Sequence, residues 1–236
     1  MLVEIWSDVV CPWCAIGKAR FETALQSFPH ADEVEVVWRS FELDPDAPQS
    51  RDGDLATHLA TKYGTERDSA LRMMDQMTAT AAVEGLTFRF DIAQAGNTFD
   101  AHRLLHLAKA HGLQHELGDR LFAAYLTDGE PIGEQDVLQR IAVEVGLDEV
   151  EVKDVLTTDR YATAVREDEA QAQRYGIRGV PFFVVDQQYG VSGAQPADAL
   201  LEVLQTAWAD SHPLTMVTPT ASDASDEACA DGNCAI

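Results

Sequence analysis

The chain has 236 residues, of which 46% are hydrophobic, so it is long enough to bury a full core without disulfide staples. Its formal net charge of −23 argues against binding to nucleic acids and to anionic membrane surfaces, because their phosphates would repel the chain. The sequence shows neither a long apolar run nor a basic segment leading into one, so we expect no membrane span, no secretory signal and a cytoplasmic location.

The first predicted elements are a strand over residues 2–6 and a helix that begins at the motif Cys11-Pro12-Trp13-Cys14. Pro12 falls at the first helical position, where its missing N–H and fixed φ are tolerated. Cys11 then faces the unpaired N–H groups of the first turn, which stabilise a thiolate, and Cys14 lies close enough to resolve a mixed disulfide. The motif therefore predicts a redox dithiol, and two sulfurs that are buried, far apart or bound to zinc would contradict this prediction.

Two other interpretations of this motif are half of a zinc site and a structural disulfide. A zinc site needs four ligands, and the remaining cysteines, Cys229 and Cys234, lie at the far end of the chain. A disulfide between Cys11 and Cys14 would cross-link almost no chain. We therefore expect a redox site without a bound metal and without a cofactor.

The next predicted elements are a strand over residues 34–39 and helices from about residue 54 to residue 175, where apolar residues recur at helical spacing. Glycines such as Gly64 and Gly176 are expected to end helices. Continuous β-rich runs return over residues 180–185 and 189–193, and a last helix is predicted over residues 197–209.

This order of elements predicts an α/β fold with a central mixed sheet and a large all-helical insertion. We expect one domain to comprise residues 1–44 and 160–209, and the helical insertion to comprise residues 45–159. Residues 210–236 are predicted to form a flexible acidic tail, because Pro, Thr, Ser, Asp and Ala dominate there.

Four stretches of the chain together resemble a known family. They are SDVVCPWCAIG (7–17), NTFDAHR (97–103), GIRGVPFF (176–183) and VSGAQP (191–196). With them the chain resembles the thioredoxin-fold disulfide oxidoreductases of the DsbA branch, and most closely its cytoplasmic FrnE-like group. The resemblance implies a thioredoxin-like fold and a thiol–disulfide oxidoreductase or isomerase that acts on protein thiols or disulfides during oxidative stress. A small thiol or a thioredoxin-type protein is a candidate electron partner, and the sequence leaves open whether the chain is a monomer or a homodimer.

The resemblance further implies roles for individual residues. It implies a cis bond between Val180 and Pro181 beside the cysteines, which leaves the Val180 backbone to pair with a substrate peptide and keeps metals from the thiolates. Asn97 and His102 lie in the second stretch, and they either line a substrate groove or serve in capping and packing. Trp13 is either a substrate platform or a shield for the disulfide.

A second cysteine pair, Cys229 and Cys234, lies in the polar tail. The residues between the two cysteines favour a turn, so the sulfurs can meet, and FrnE-like proteins are similar in carrying a C-terminal CX4C. The pair is an auxiliary redox shuttle for the first motif, a thiol pair that captures metal, or a pair without a role.

Two rival functions remain open. Kappa-type glutathione transferases and 2-hydroxychromene-2-carboxylate isomerases share the implied fold, but they place serine at the position of Cys11 and favour Asp-Arg after the glycine that corresponds to Gly193, where this chain has Gln195-Pro196. A redox-gated holding chaperone is the non-enzymatic rival. For an exchange enzyme, the Pro-Trp dipeptide lacks the histidine of strongly oxidising relatives, which predicts a less oxidising protein.

Overall fold

The structure is a computed structural model that describes residues 1–51 and 53–213. Its elements in chain order are β1 (Leu2–Ser7), α1 (Pro12–Gln26), a short 3-10 turn (Ala31–Glu33), β2 (Glu35–Ser40), α2 (Leu55–Tyr63), α3 (Arg67–Val83), α4 (Phe99–Ala110), α5 (Gln114–Ala123), a π-helical turn (Ala124–Asp128), α6 (Gln135–Glu144), α7 (Glu149–Thr157), α8 (Ala162–Tyr175), β3 (Phe182–Val185), β4 (Tyr189–Ser192) and α9 (Ala197–Ser211). The two cysteines Cys229 and Cys234 lie outside the described residues.

The sheet has the strand order β2-β1-β3-β4. β1 pairs with β2 in parallel and with β3 in antiparallel orientation, and β3 pairs with β4 in antiparallel orientation. The predicted mixed sheet is therefore confirmed. One face of the sheet packs against α1 and α9 through Phe21, Phe183 and Leu204. On the other face Trp6 packs near α8 with Ala172, and its ring N–H donates to the Asp168 carbonyl at 2.9 Å.

The helical block between β2 and α8 consists of α2 to α7, as predicted from the apolar periodicity. The largest hydrophobic core joins this block to the start of α1, because it contains Leu104, Leu121 and Ile141 from the block together with Cys11 and Cys14. The cysteine motif thus lies where the helical block packs onto the sheet unit. Within the described residues, no helix combines the length and apolar character needed to cross a bilayer.

The predicted ends of the elements are confirmed in part. Gly64 has φ 61° and Gly176 has φ 73°, and each follows the last residue of its helix in the left-handed conformation that glycine adopts at little cost. The third strand begins at Phe182 rather than at residue 180, because Val180 and Pro181 form a loop before it. The last helix continues to Ser211, two residues beyond the predicted end.

A buried ionic network fastens β2 to α8 and α4. Asp168 accepts from Arg39 and from the Ser40 N–H, both at 2.9 Å, and lies 3.1 Å from His106 Nε2. Arg39 also donates to Glu4 at 2.9 Å. Burial by itself would raise the pKa of Asp168, but the hydrogen bonds from His106 and Ser40 and the charges of His106 and Arg39 lower it below its usual value. The carboxylate form is therefore the form that holds these elements together.

Candidate active site

Cys11 caps the N-terminus of α1, as the sequence predicts. Its backbone is extended (φ −90°, ψ 110°), Pro12 occupies the first helical position, and its sulfur accepts the Cys14 N–H at 3.3 Å. A sulfur held by a main-chain donor at a helix N-terminus is stabilised as an anion. Cys14 follows on the first helical turn, and both cysteines are free thiols in this structure.

The two sulfurs are more enclosed than the sequence predicts. Cys11 is 4% exposed and Cys14 is fully buried. The Cys11 thiol donates to the Val180 carbonyl at 3.7 Å, so the loop before β3 covers one side of it. Cys11 nevertheless lines a surface groove. The enclosure arises because the helical block packs directly over the start of α1.

The Val180–Pro181 peptide bond is cis and lies beside Cys11. The loop is held from two sides: the Gly193 N–H donates to the Pro181 carbonyl at 2.9 Å, and α1 passes close to the proline ring at Gly17. A Cβ atom at Gly17 would lie 2.8 Å from Pro181 Cγ, so a glycine is needed for this approach. The structure thus brings together Cys11, Val180 and Pro181.

Cys14 is held in its neutral form. Burial is the largest cause that holds its pKa well above the usual value, and the hydrogen bond and charge of Cys11 act in the same direction. The Asp8 main chain and the Ser7 side chain lower the pKa in part. An uncharged thiol beside an N-capping sulfur suits a nucleophile at Cys11 and a reserve thiol at Cys14.

The groove that reaches Cys11 has a volume of about 310 Å³ and is lined mostly by apolar side chains. The cysteine motif and the Val180 loop form one wall, and residues from α2 and α3 form the other. Its exposed side chains include Trp13 (44%), Tyr63 (60%) and Met73 (41%). Trp13 therefore stands at the rim of the groove, where it can contact a bound molecule.

Asn97 and His102 have structural contacts. The Asn97 amide donates to the Ala47 carbonyl at 3.1 Å and its oxygen accepts the N–H of Phe99, the first residue of α4, at 2.9 Å, so Asn97 fastens a loop to the start of α4. His102 is 1% exposed, and its Nε2 lies 3.4 Å from Asp8 Oδ1. Neither residue belongs to the groove lining. For both, the geometry favours capping and packing over contact with a substrate.

Sequence reasoning missed two residues next to the cysteines. Asp8 is buried, and its carbonyl accepts the Cys11 N–H at 3.0 Å. The sequence did offer a signal for Asp8, because this residue lies in the stretch 7–17 that carries the family resemblance. Tyr125 lines the groove from the π-helical turn. Apolar periodicity gave no signal for Tyr125, because that pattern does not reveal where a helix changes its pitch.

One cluster of possible metal ligands lies among the described residues, away from the groove. It consists of Glu22, His115 and Asp119, whose ligand atoms all lie within 4.8 Å of one another. The Lys18 amine contacts both carboxylates, at 2.6 Å from Asp119, so a cation already occupies this position.

Comparison with known proteins assigns the chain to a family. Residues 2–205 match the family described as DSBA-like thioredoxin domain. The chain belongs to the DsbA-like thioredoxin-domain family. Among curated proteins, this DsbA-like chain is 30% identical over 187 residues to the uncharacterized protein YwbO of Bacillus subtilis, which covers 78% of this chain and 86% of YwbO.

The DsbA-like fold is shared with solved structures. A probable DsbA oxidoreductase from Streptomyces coelicolor, SCO1869, is 47% identical with a TM-score of 0.86, over 93% of this chain and 94% of that chain. The cytosolic disulfide reductase DsbM of Pseudomonas aeruginosa is 18% identical with a TM-score of 0.63, over 88% and 98% of the two chains. A 2-hydroxychromene-2-carboxylate isomerase is 12% identical with a TM-score of 0.63, over 89% and 98%. The last two likenesses concern the fold alone.

Proposed function

We propose that this protein exchanges disulfides with protein substrates through Cys11 and Cys14. The observation that carries the proposal is the Cys11 sulfur at the N-terminus of α1, beside Val180–Pro181 and at the wall of an apolar groove. The name of the Streptomyces coelicolor relative, a probable DsbA oxidoreductase, supports the same chemistry.

The oxidised protein would act in two balanced steps. A substrate thiolate attacks Cys11 Sγ, the Cys11–Cys14 bond breaks, and Cys14 leaves as a thiolate that takes up a proton. A second substrate thiolate then attacks the substrate sulfur of the mixed disulfide and releases Cys11 as a thiolate. The substrate loses two electrons as its disulfide forms, and the protein gains them as its disulfide opens. The reverse sequence reduces or isomerises a substrate disulfide.

The apolar lining of the groove favours segments of proteins as substrates. Its apolar wall can bury an apolar side chain next to a substrate cysteine, and the exposed Trp13 and Met73 can adapt to different side chains. In this proposal the sheet unit (1–44 and 160–209) carries the thiols and the Val180 backbone pairs with the substrate. The helical insertion (45–159) supplies the opposite wall.

The proposal extends to the setting of the protein. We place it in the cytoplasm, where the Pseudomonas aeruginosa relative is named as a cytosolic disulfide reductase. A small thiol or a thioredoxin-type protein would supply or remove electrons. Cys229 and Cys234, in the tail (210–236), would pass electrons between that partner and the Cys11–Cys14 pair.

Insulin reduction and the refolding of scrambled ribonuclease test this function, with glutathione or dithiothreitol as the electron donor. We expect catalytic turnover by the full chain, and slower turnover by a chain that ends at residue 213 if the tail shuttles electrons. Unchanged turnover by the shortened chain would reject the electron shuttle in the tail, but it would not contradict the exchange at Cys11 and Cys14.

Two outcomes would replace the proposal. Suppression of aggregation without turnover would indicate a holding chaperone. Glutathione-dependent turnover that survives Cys14→Ser would indicate a glutathione enzyme.

A further inference from the structure

Three buried ionisable side chains, Asp8, Glu42 and His102, meet behind the cysteine motif and form what we call the acid–histidine cluster. His102 Nε2 lies 3.4 Å from Asp8 Oδ1, and the His102 charge also acts on Glu42. Over residues 1–51 and 53–213, the buried side-chain atoms without a hydrogen-bond partner are Glu4 Oε2, Asp8 Oδ1, Glu42 Oε1 and both ring nitrogens of His102. Buried polar atoms are nearly always paired, so the presence of four of these five atoms in one cluster needs an explanation.

Asp8 connects the acid–histidine cluster to Cys11. Its carbonyl accepts the Cys11 N–H at 3.0 Å, and its Oδ2 accepts the Leu43 N–H at 2.7 Å. Asp8 and Cys11 also share a neighbour, Tyr125. Burial is the largest cause that raises the pKa of Tyr125, and the negative charges of Asp8 and Cys11 raise it further. Like charges disfavour each other, so an uncompensated carboxylate at Asp8, three residues before Cys11, would oppose the Cys11 thiolate.

The other charged groups around His102 each have an ion-pair partner, although Glu42 Oε1 has no hydrogen bond of its own. Burial raises the pKa of Glu42, while the hydrogen bond and charge of Arg166 and the charge of His102 oppose this rise. Lys18 and Arg39 line a small cavity together with His102, and both are engaged in ion pairs with Glu22, Asp119, Glu4 and Asp168. In the described part of the chain, His102 is thus the basic group within reach of the unpaired Asp8 oxygen.

We propose that His102 is protonated and cancels the charge of Asp8, so that the pair preserves the reactivity of the Cys11 thiolate. Asp8 and His102 are positioning residues in this proposal, because they act through Cys11 and do not touch the substrate. The inference rests on the proposed exchange at Cys11.

Alkylation by iodoacetamide tests the pair in the full-length chain with Cys14, Cys229 and Cys234 replaced by serine. The Cys11 sulfur displaces iodide as a thiolate, so the rate against pH reports the thiolate population. At pH 6.5 we expect His102→Gln to slow alkylation about fivefold and Asp8→Asn to accelerate it about fivefold, since one change removes a positive charge and the other a negative charge. The double variant should return to within about twofold of the parent.

His106→Gln is the matched control. His106 lies one turn further along α4 and contacts Asp168 at 3.1 Å, so its loss removes a partly buried histidine–carboxylate contact that belongs to another network. We expect its alkylation profile to stay within about twofold of the parent. Shifts in the same direction for Asp8→Asn and His102→Gln, or no shift in either folded variant, would overturn the proposal.

The wild-type chain provides a test that needs no substitution. Nitrogen NMR of labelled histidine at pH 6.5 should show both ring nitrogens of His102 protonated, and one bare nitrogen would overturn the proposal. Neither measurement uses a substrate. A wild type that fails to reduce insulin but shows this charge state would therefore contradict the proposed function alone, and the opposite result would contradict the acid–histidine pair alone.

Discussion

Replacing Cys11 with serine is expected to reduce insulin turnover on the order of 1,000-fold, because a hydroxyl at this position is neither ionised near neutral pH nor able to form a disulfide. The fold should persist. Serine is an accepted N-cap residue, and its hydroxyl oxygen can accept the Cys14 N–H that the sulfur now accepts. The loss should therefore appear in turnover and not in the thermal midpoint of unfolding.

The control for this variant is a double substitution of the tail cysteines, Cys229→Ser with Cys234→Ser. Like Cys11→Ser, it disables one cysteine pair, but it leaves the pair on α1 intact. Comparing the two variants therefore shows which pair is needed for turnover. Insulin turnover by Cys11→Ser close to the wild-type rate would contradict the assignment of the nucleophile. Loss of turnover in the tail variant alone would move the primary site to the tail.

Replacing Asp168 with alanine is expected to lower the free energy of unfolding by about 3 kcal/mol, because it leaves buried donors without their acceptor. Asp168 accepts from Arg39 and from the Ser40 N–H, and it contacts His106. Arg39 keeps its bond to Glu4, which places the expected cost at the lower end for a broken buried ion pair. Urea unfolding at pH 7 measures the change as a lower midpoint.

The matched control is Glu167→Ala, which removes an exposed carboxylate from the neighbouring position of α8. We expect its unfolding midpoint to stay close to that of the wild type. Equal midpoints for the Asp168 and Glu167 variants would contradict the structural role of the network.

The lowered pKa of Asp168 also determines how its contribution to stability changes with pH. The pKa of Asp168 is lower in the folded protein than its usual value of 3.8, so the unfolded chain binds this proton more readily. The stabilisation that the Asp168 carboxylate gives the folded protein is fully present above pH 3.8. It is lost as the pH falls through the lower pKa that Asp168 has in the folded protein. The difference in stability between wild type and Asp168→Ala should therefore shrink as the pH falls below about 4.

The sequence predicted most of the fold because local patterns determined it. Apolar periodicity located the helical block, and Gly64 and Gly176 marked helix ends that the backbone requires at positive φ. The sequence pattern predicts the start of β3 two residues too early, because Val180 and Pro181 continue the apolar run while their backbone forms a loop. A hydrophobic pattern reports burial and does not report where strand pairing begins.

The site was predictable where the chemistry is local. Cys11, Pro12 and Cys14 are adjacent in sequence, so their arrangement at the helix N-terminus followed from short-range rules. The enclosure of the sulfurs did not follow, because it depends on how the helical block packs over α1. The contact between Asp8 and His102 joins residues 94 positions apart, and no local rule could have predicted it.

In the reducing direction, Cys11 is expected to attack a substrate disulfide and Cys14 to release the product. Incubation of reduced Cys14→Ser with a disulfide-bonded peptide, followed by acid quenching and peptide mapping, tests it most directly. We predict a mixed disulfide on Cys11 that lasts longer than the one formed by the wild type, because the neighbouring thiol of Cys14, which would displace the peptide, is absent. Peptide found on Cys229 or Cys234 with Cys11 unmodified, or no adduct at all, would contradict the claim.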